Sequence, residues 1–189
     1  MHASLVLPPP PDPRCAATKP APPTPPSLSR VRRCWLRVSF VRTARDYPGV
    51  LRIALLGSLA SDKPIPKDAD VLVTIEGSMD LTKLARAGRQ LKGATNSINL
   101  SADIFLADEA GRYLGRICRY RECHLRVLCR AQHCGQRAHL NDDLHVLPLP
   151  HELIAAPPVD LWPKVIRRVM PPPDVEEFLL AELEQARYR

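Results

Sequence analysis

Two apolar runs, residues 51–56 and 71–75, flank a glycine–serine pair and a loop that ends in Asp68-Ala69-Asp70. This pattern limits the chain to few folds. Leu51, Ile53 and Leu55 alternate with Arg52 and Ala54, which predicts a strand that stops at Gly57. The loop after Ser58 contains Pro64 and Pro66, and proline in a helix interior removes a hydrogen bond and clashes with the preceding turn. Residues 71–75 are nearly all β-branched, as expected of a strand buried on both faces. A strand, an irregular loop and a second buried strand therefore open the core.

Around this nucleus the pattern predicts further elements. Residues 30–45 place Val31, Cys34, Trp35, Val38 and Val41 at helical spacing, with arginines between them on a solvated face. The β-branched residues leave a strand as the alternative. Asp80 has the position of a cap for a helix whose apolar positions are Leu81, Leu84, Ala85 and Leu91. Residues 98–106 predict a third strand. Near the C-terminus, Asp174 and Glu177 have capping-box spacing, and Val175, Phe178, Leu179, Leu183 and Ala186 form one apolar stripe. That helix is expected to pack on the sheet or on a second copy of the chain, as a homodimer.

The fold class predicted is α+β, a small mixed sheet with helices on one face, followed by a Cys-rich β segment and a C-terminal helix. Four regions result. Residues 1–29 hold ten of the 21 prolines and read as a disordered or polyproline-like tail. Residues 30–110 form the core. Residues 111–150 form the Cys-rich β segment, closed by a short strand over 144–149. Residues 151–189 are an extended proline-rich connection and the last helix.

Charge and composition narrow the functions. A formal charge of +7 favours an anionic partner such as nucleotide or nucleic acid. No run reaches the roughly 18 apolar residues of a membrane helix, and the N-terminal residues lack a secretory pattern. A cytoplasmic setting is expected, in which cysteines stay reduced or bind metal. Cys118, Cys123, Cys129 and Cys134 are spaced by four, five and four residues, with His124, His133 and His139 among them. Two readings stay open: a structural Zn²⁺ site, or reduced cysteines on a β-hairpin.

The acids carry the chemistry. Residues two apart on a strand share a face, so Asp68 and Asp70 present both carboxylates on one side. Asp103 joins them if its strand lies alongside. At 4 Å and an effective dielectric of 20, each carboxylate pair costs about 4 kcal/mol. A Mg²⁺ ion relieves that repulsion, and such a cluster serves in-line attack on phosphorus. Gly57 permits close approach of a phosphate, Ser58 has a hydroxyl to donate, and Lys63 and Lys67 offset triphosphate charge.

Gly57-Ser58, nine further residues, Asp68-Ala69-Asp70 followed by Val-Leu-Val, and the later Asp103 resemble the minimal nucleotidyltransferase domain of the DNA polymerase beta superfamily. The resemblance covers residues 50–106. It implies that Gly57 and Ser58 bind the triphosphate, that Asp68 and Asp70 hold the metals, and that Asp103 completes the second metal site and helps activate the acceptor hydroxyl. The implied activity is Mg²⁺-dependent transfer of a nucleoside monophosphate from an NTP to a hydroxyl of RNA, protein or a small molecule. The smallest relatives often work in toxin–antitoxin systems. Two departures stand out. Leu59-Ala60-Ser61-Asp62 replaces the Arg-Gly segment of many small relatives, and Lys67 occupies a position where they often have a small residue. The competing functions are a non-catalytic nucleotide- or RNA-binding domain and an antitoxin-like partner.

Overall fold

The structure is a computed structural model that describes residues 28–61, 63, 68, 70–97, 102–117, 140–141 and 149–186. The Cys-rich cluster, Lys67 and most of the proline-rich tail lie outside the described residues, as does the strand expected over 144–149 except for Leu149. The elements run α1 (Leu28–Ala44), β1 (Val50–Leu55), β2 (Val71–Ile75), α2 (Thr82–Asn96), β3 (Ile104–Asp108), β4 (Tyr113–Ile117), β5 (Leu140–Asn141), α3 (His151–Ala155), β6 (Val159–Trp162), β7 (Ile166–Arg167), α4 (Pro173–Val175) and α5 (Ala181–Gln185). A π-helical stretch, Glu176–Leu180, joins α4 to α5.

The seven strands of the described residues form one mixed sheet in the order β5-β4-β3-β2-β1-β6-β7. β1 and β2 are antiparallel, β2 and β3 parallel, and β3 and β4 antiparallel. The α+β expectation holds. Alternation along β1 sends Ile53 and Leu55 into a large apolar cluster on one face, and Ala54 and Leu56 into a smaller cluster on the other. β2 splits the same way: Val71 and Val73 join the large cluster, Leu72 the small one. Burial on both faces accounts for its unbroken apolar run.

α1, α2 and the C-terminal helical segments cover the large cluster through Cys34, Val38, Val41, Leu84, Leu91, Leu179 and Leu183. Burying such side chains contributes about 1.5–3 kcal/mol each. Asp80 Oδ1 accepts hydrogen bonds from the Thr82 amide at 2.9 Å and the Thr82 hydroxyl at 2.7 Å. It tethers the first turn of α2 from one position before the cap, which is Leu81 and not the expected Asp80.

Three expectations need correction. First, the helices do not all lie on one face: α3 sends Ile154 into the small cluster, with Leu153 packed against it. A single turn between Pro150 and Pro157 is too short to show helical periodicity. Second, the proline-rich connection is part of the sheet. β6 pairs with β1, Ala54 opposite Asp160 and Leu55 opposite Val159. Pro158 and Pro163 flank β6 at its ends, where a missing amide donor costs the ladder little. Third, no side-chain cap forms at Asp174. Pro172 precedes the first turn, and Asp174 lies buried inside it, its carbonyl accepting from Cys34 Sγ at 3.6 Å. Pro173 holds the first helical position, where proline presets the helical backbone angle. Of the stripe, Val175, Leu179 and Leu183 are buried in the chain's own core and Phe178 packs partly buried against it, the first of the two packings expected.

Among the described residues no helix is long and apolar enough to cross a membrane.

Candidate functional site

The site forms where β1 ends and β2 and β3 begin. Gly57 turns the chain with φ +73°, a left-handed conformation that glycine adopts without a Cβ penalty. A Cβ here would lie 3.2 Å from Asp70 Oδ2 and 3.4 Å from the Asp68 carbonyl oxygen. The glycine thus serves two needs, the turn and the close approach of the acids.

Ser58 fastens that turn to the acid-bearing segment. Its hydroxyl donates to the Asp68 carbonyl at 3.0 Å and accepts from the Asp68 amide at 3.0 Å. The Leu59 amide adds a bond to the same carbonyl at 3.2 Å, and the Leu56 amide donates to the Asp70 carbonyl at 2.8 Å. The hydroxyl expected to meet a phosphate is therefore used as a latch on the backbone of Asp68. Lys63 is exposed on the intervening loop.

The three acids differ in environment. Asp68 is exposed, Asp70 half-buried and Asp103 8% exposed. The Asp103 amide donates to Asp70 Oδ1 at 3.1 Å, and the Asp103 carbonyl accepts from the Val71 amide at 2.9 Å. Parallel pairing of Val71 with Ile104 brings the two strand starts together. Burial pushes the Asp70 acid up to about 6. The charges of Asp103 and Asp68 push the same way, against the Asp103 amide and Arg37, which favour the carboxylate.

Asp103 has cationic company. Its Oδ1 lies 3.4 Å from Arg116 Nη1 and 3.8 Å from Lys92 Nζ. Among the described residues no three His, Cys, Asp or Glu side chains converge into a group that would hold a metal ion. The pair Asp68 and Asp70 remains. Mg²⁺ typically uses one or two carboxylates together with substrate phosphates and water. Burial leads the causes that raise Asp70, and the charges of Asp103 and Asp68 add to it; an ion held by Asp68 and Asp70 would relieve that added repulsion.

Sequence reasoning missed the residues that tune the acids. Arg37 is fully buried. The solvated face expected for the arginines fails here: Arg37 lies three residues after Cys34 and four before Val41, so helical spacing turns it inward. Arg116 is 3% exposed and sits opposite Phe105. No local signal joins it to Asp103, because only the β3–β4 register does so. Tyr113 lies against Phe105, with ring centroids 6.4 Å apart. Burial pushes its phenol up to about 12, and its hydroxyl has no hydrogen-bond partner among the described residues.

Another acid is buried on β6. Asp160 is held by Arg52 Nε at 2.7 Å and Arg168 Nη2 at 2.8 Å. The same arginines donate to the Ile154 and Pro157 carbonyls. This cluster ties β1 and β6 to α3 and the segment after β7. Comparison of the chain with protein-family models, curated proteins and solved structures found no match.

Proposed function

We propose that the chain is a Mg²⁺-dependent nucleotidyltransferase that moves a nucleoside monophosphate from an NTP to a hydroxyl acceptor. The observation that carries this reading is the clamp between the Gly57-Ser58 turn and the Asp68–Asp70 segment, made by the reciprocal Ser58–Asp68 bonds. A bend with φ > 0 lies against two acids, one of them exposed. The antiparallel β1–β2 pair and parallel β2–β3 pair place the third acid at the adjoining strand start. These features are those expected of a minimal domain of the DNA polymerase beta superfamily.

Asp68 and Asp70 would hold the cation, which supplies charge neutralisation at the polyphosphate. In the reaction the acceptor oxygen bonds to the α-phosphorus. The bond to the α–β bridging oxygen breaks, pyrophosphate leaves with the electron pair, and a carboxylate of the site takes the hydroxyl proton. The Asp103 amide and, to a smaller degree, Arg37 oppose the upward push on Asp70.

The test is labelling. Purified chain with Mg²⁺ and labelled ATP or CTP is expected to label an acceptor, and Asp68→Ala or Asp70→Ala to abolish it. Persistent labelling in both variants would refute the assignment. One observation favours a second reading, nucleotide or RNA binding without turnover: the Asp103 carboxylate lies beside two cations of the chain itself. Nucleotide binding with no label transferred, in wild type and variants alike, selects that reading.

A further inference from the structure

Asp103 stands at the meeting of three elements. Gly88 on α2 lets that helix approach β3 closely, since a Cβ there would lie 3.0 Å from Ile104 Cγ1. One helical turn later Lys92 falls on the same side of α2, and its ammonium reaches Asp103 Oδ1 at 3.8 Å. From the other side, the pairing of Phe105 with Arg116 brings a guanidinium to the same oxygen at 3.4 Å. Asp103 and Arg116 are nearly removed from water, with side chains 9% and 3% exposed, and Lys92 is 15% exposed. Their attraction is screened less than at a surface.

Resting on the reading of this site as one for a cation and a polyphosphate, we propose that it takes one divalent ion, on Asp68 and Asp70. Asp103 is then a positioning residue whose carboxylate is neutralised by Lys92 and Arg116. Its contribution runs through the backbone: its amide holds Asp70 Oδ1 in place. The hollow beside its side chain, lined by Gly88, Lys92, Ile104 and Ile117 among others, has a volume of about 10 Å³. That is room for about one water. A second divalent ion brought there would also meet two positive groups at close range. The chain's own lysine and arginine thus do for the third acid what a second metal would otherwise do.

The experiment is a Mn²⁺ titration of the metal-free full chain, without nucleotide, read by electron paramagnetic resonance of the free ion. One Mn²⁺ per wild-type chain is expected. Asp103→Asn keeps the backbone amide, so it should retain that count with affinity within about threefold, whereas Asp70→Asn should weaken binding about tenfold or more. Two ions per wild-type chain, or an Asp103→Asn loss as large as that of Asp70→Asn, would overturn the proposal. The wild-type count requires no variant to fold. Binding that survives Asp70→Asn unchanged would instead strike at the cation site itself, and the single-ion proposal would fall with it.

Discussion

The backbone amide of Asp103 donates to Oδ1 of Asp70 at 3.1 Å, so one acid of the site orients another through the main chain. This bond depends on parallel pairing of β2 with β3 rather than on any side chain of Asp103. It separates the two residues chemically. Asp70 is held facing the Gly57 turn, while the Asp103 carboxylate points to Lys92 and Arg116.

Asp70 makes stability depend on pH. Its acid is raised from the ordinary 3.8 to about 6 in the folded chain, chiefly by burial. Between pH 4 and 6 the folded state then binds more protons than the unfolded state, so stability falls as pH rises through that window. Above about pH 6 the penalty is complete, at about 1–3 kcal/mol after allowance for partial exposure. Denaturant unfolding in chelator, repeated across pH, is expected to show a shallower slope for Asp70→Asn than for wild type. Parallel profiles would contradict the assignment.

Gly57→Ala should destabilise the chain by about 1–3 kcal/mol, from backbone strain at positive φ and from crowding of Asp70 Oδ2 and the Asp68 carbonyl. Gly77, where an added Cβ meets nothing within 4 Å, is the control. Equal midpoints for the two alanine variants in urea would show that the turn is not constrained as described.

Ser58→Ala removes both bonds to the Asp68 backbone and leaves the carbonyl with only the Leu59 amide among the described contacts. A loss of about 1–2 kcal/mol is expected. Ser58→Thr keeps the hydroxyl and should recover most of it. If the hydroxyl instead served only a bound phosphate, Ser58→Ala would leave the stability of the ligand-free chain unchanged.

Asp160→Ala leaves Arg52 and Arg168 facing each other without their shared carboxylate. Breaking a buried pair costs roughly 3–5 kcal/mol, reduced here to about 2–4 because both arginines are partly exposed. Calorimetry of the variant beside wild type measures it. A change below 1 kcal/mol would mean that the cluster ties little together.

Leu179→Ala empties a fully buried position in the π-helical stretch and should cost about 2–5 kcal/mol. The expected readout is a lower unfolding midpoint with unchanged elution volume. A shift in elution with unchanged stability would return this helix to the role of an interface between copies.

The amino-acid sequence by itself determined β1, β2 and α2, because alternation, helical spacing and the Asp80 tether are properties of neighbouring residues, whereas for α1 it left a strand open. It also determined the turn at Gly57. Asp68 and Asp70 precede β2, which begins at Val71, so the two-residue strand step expected for them does not settle how their carboxylates sit. Arg37 was half legible: its place on the Cys34–Val41 stripe was visible, but a charge on an apolar stripe has meaning only once its acid is known. Tertiary structure decided the rest. Pairing of β6 with β1 turned a proline-rich connection into sheet, and the β3–β4 register together with the close seat of α2 at Gly88 delivered Arg116 and Lys92 to Asp103. Those partners are 13 and 11 positions away in the chain, on different elements. No local periodicity encodes such a meeting, because it follows from how whole elements pack.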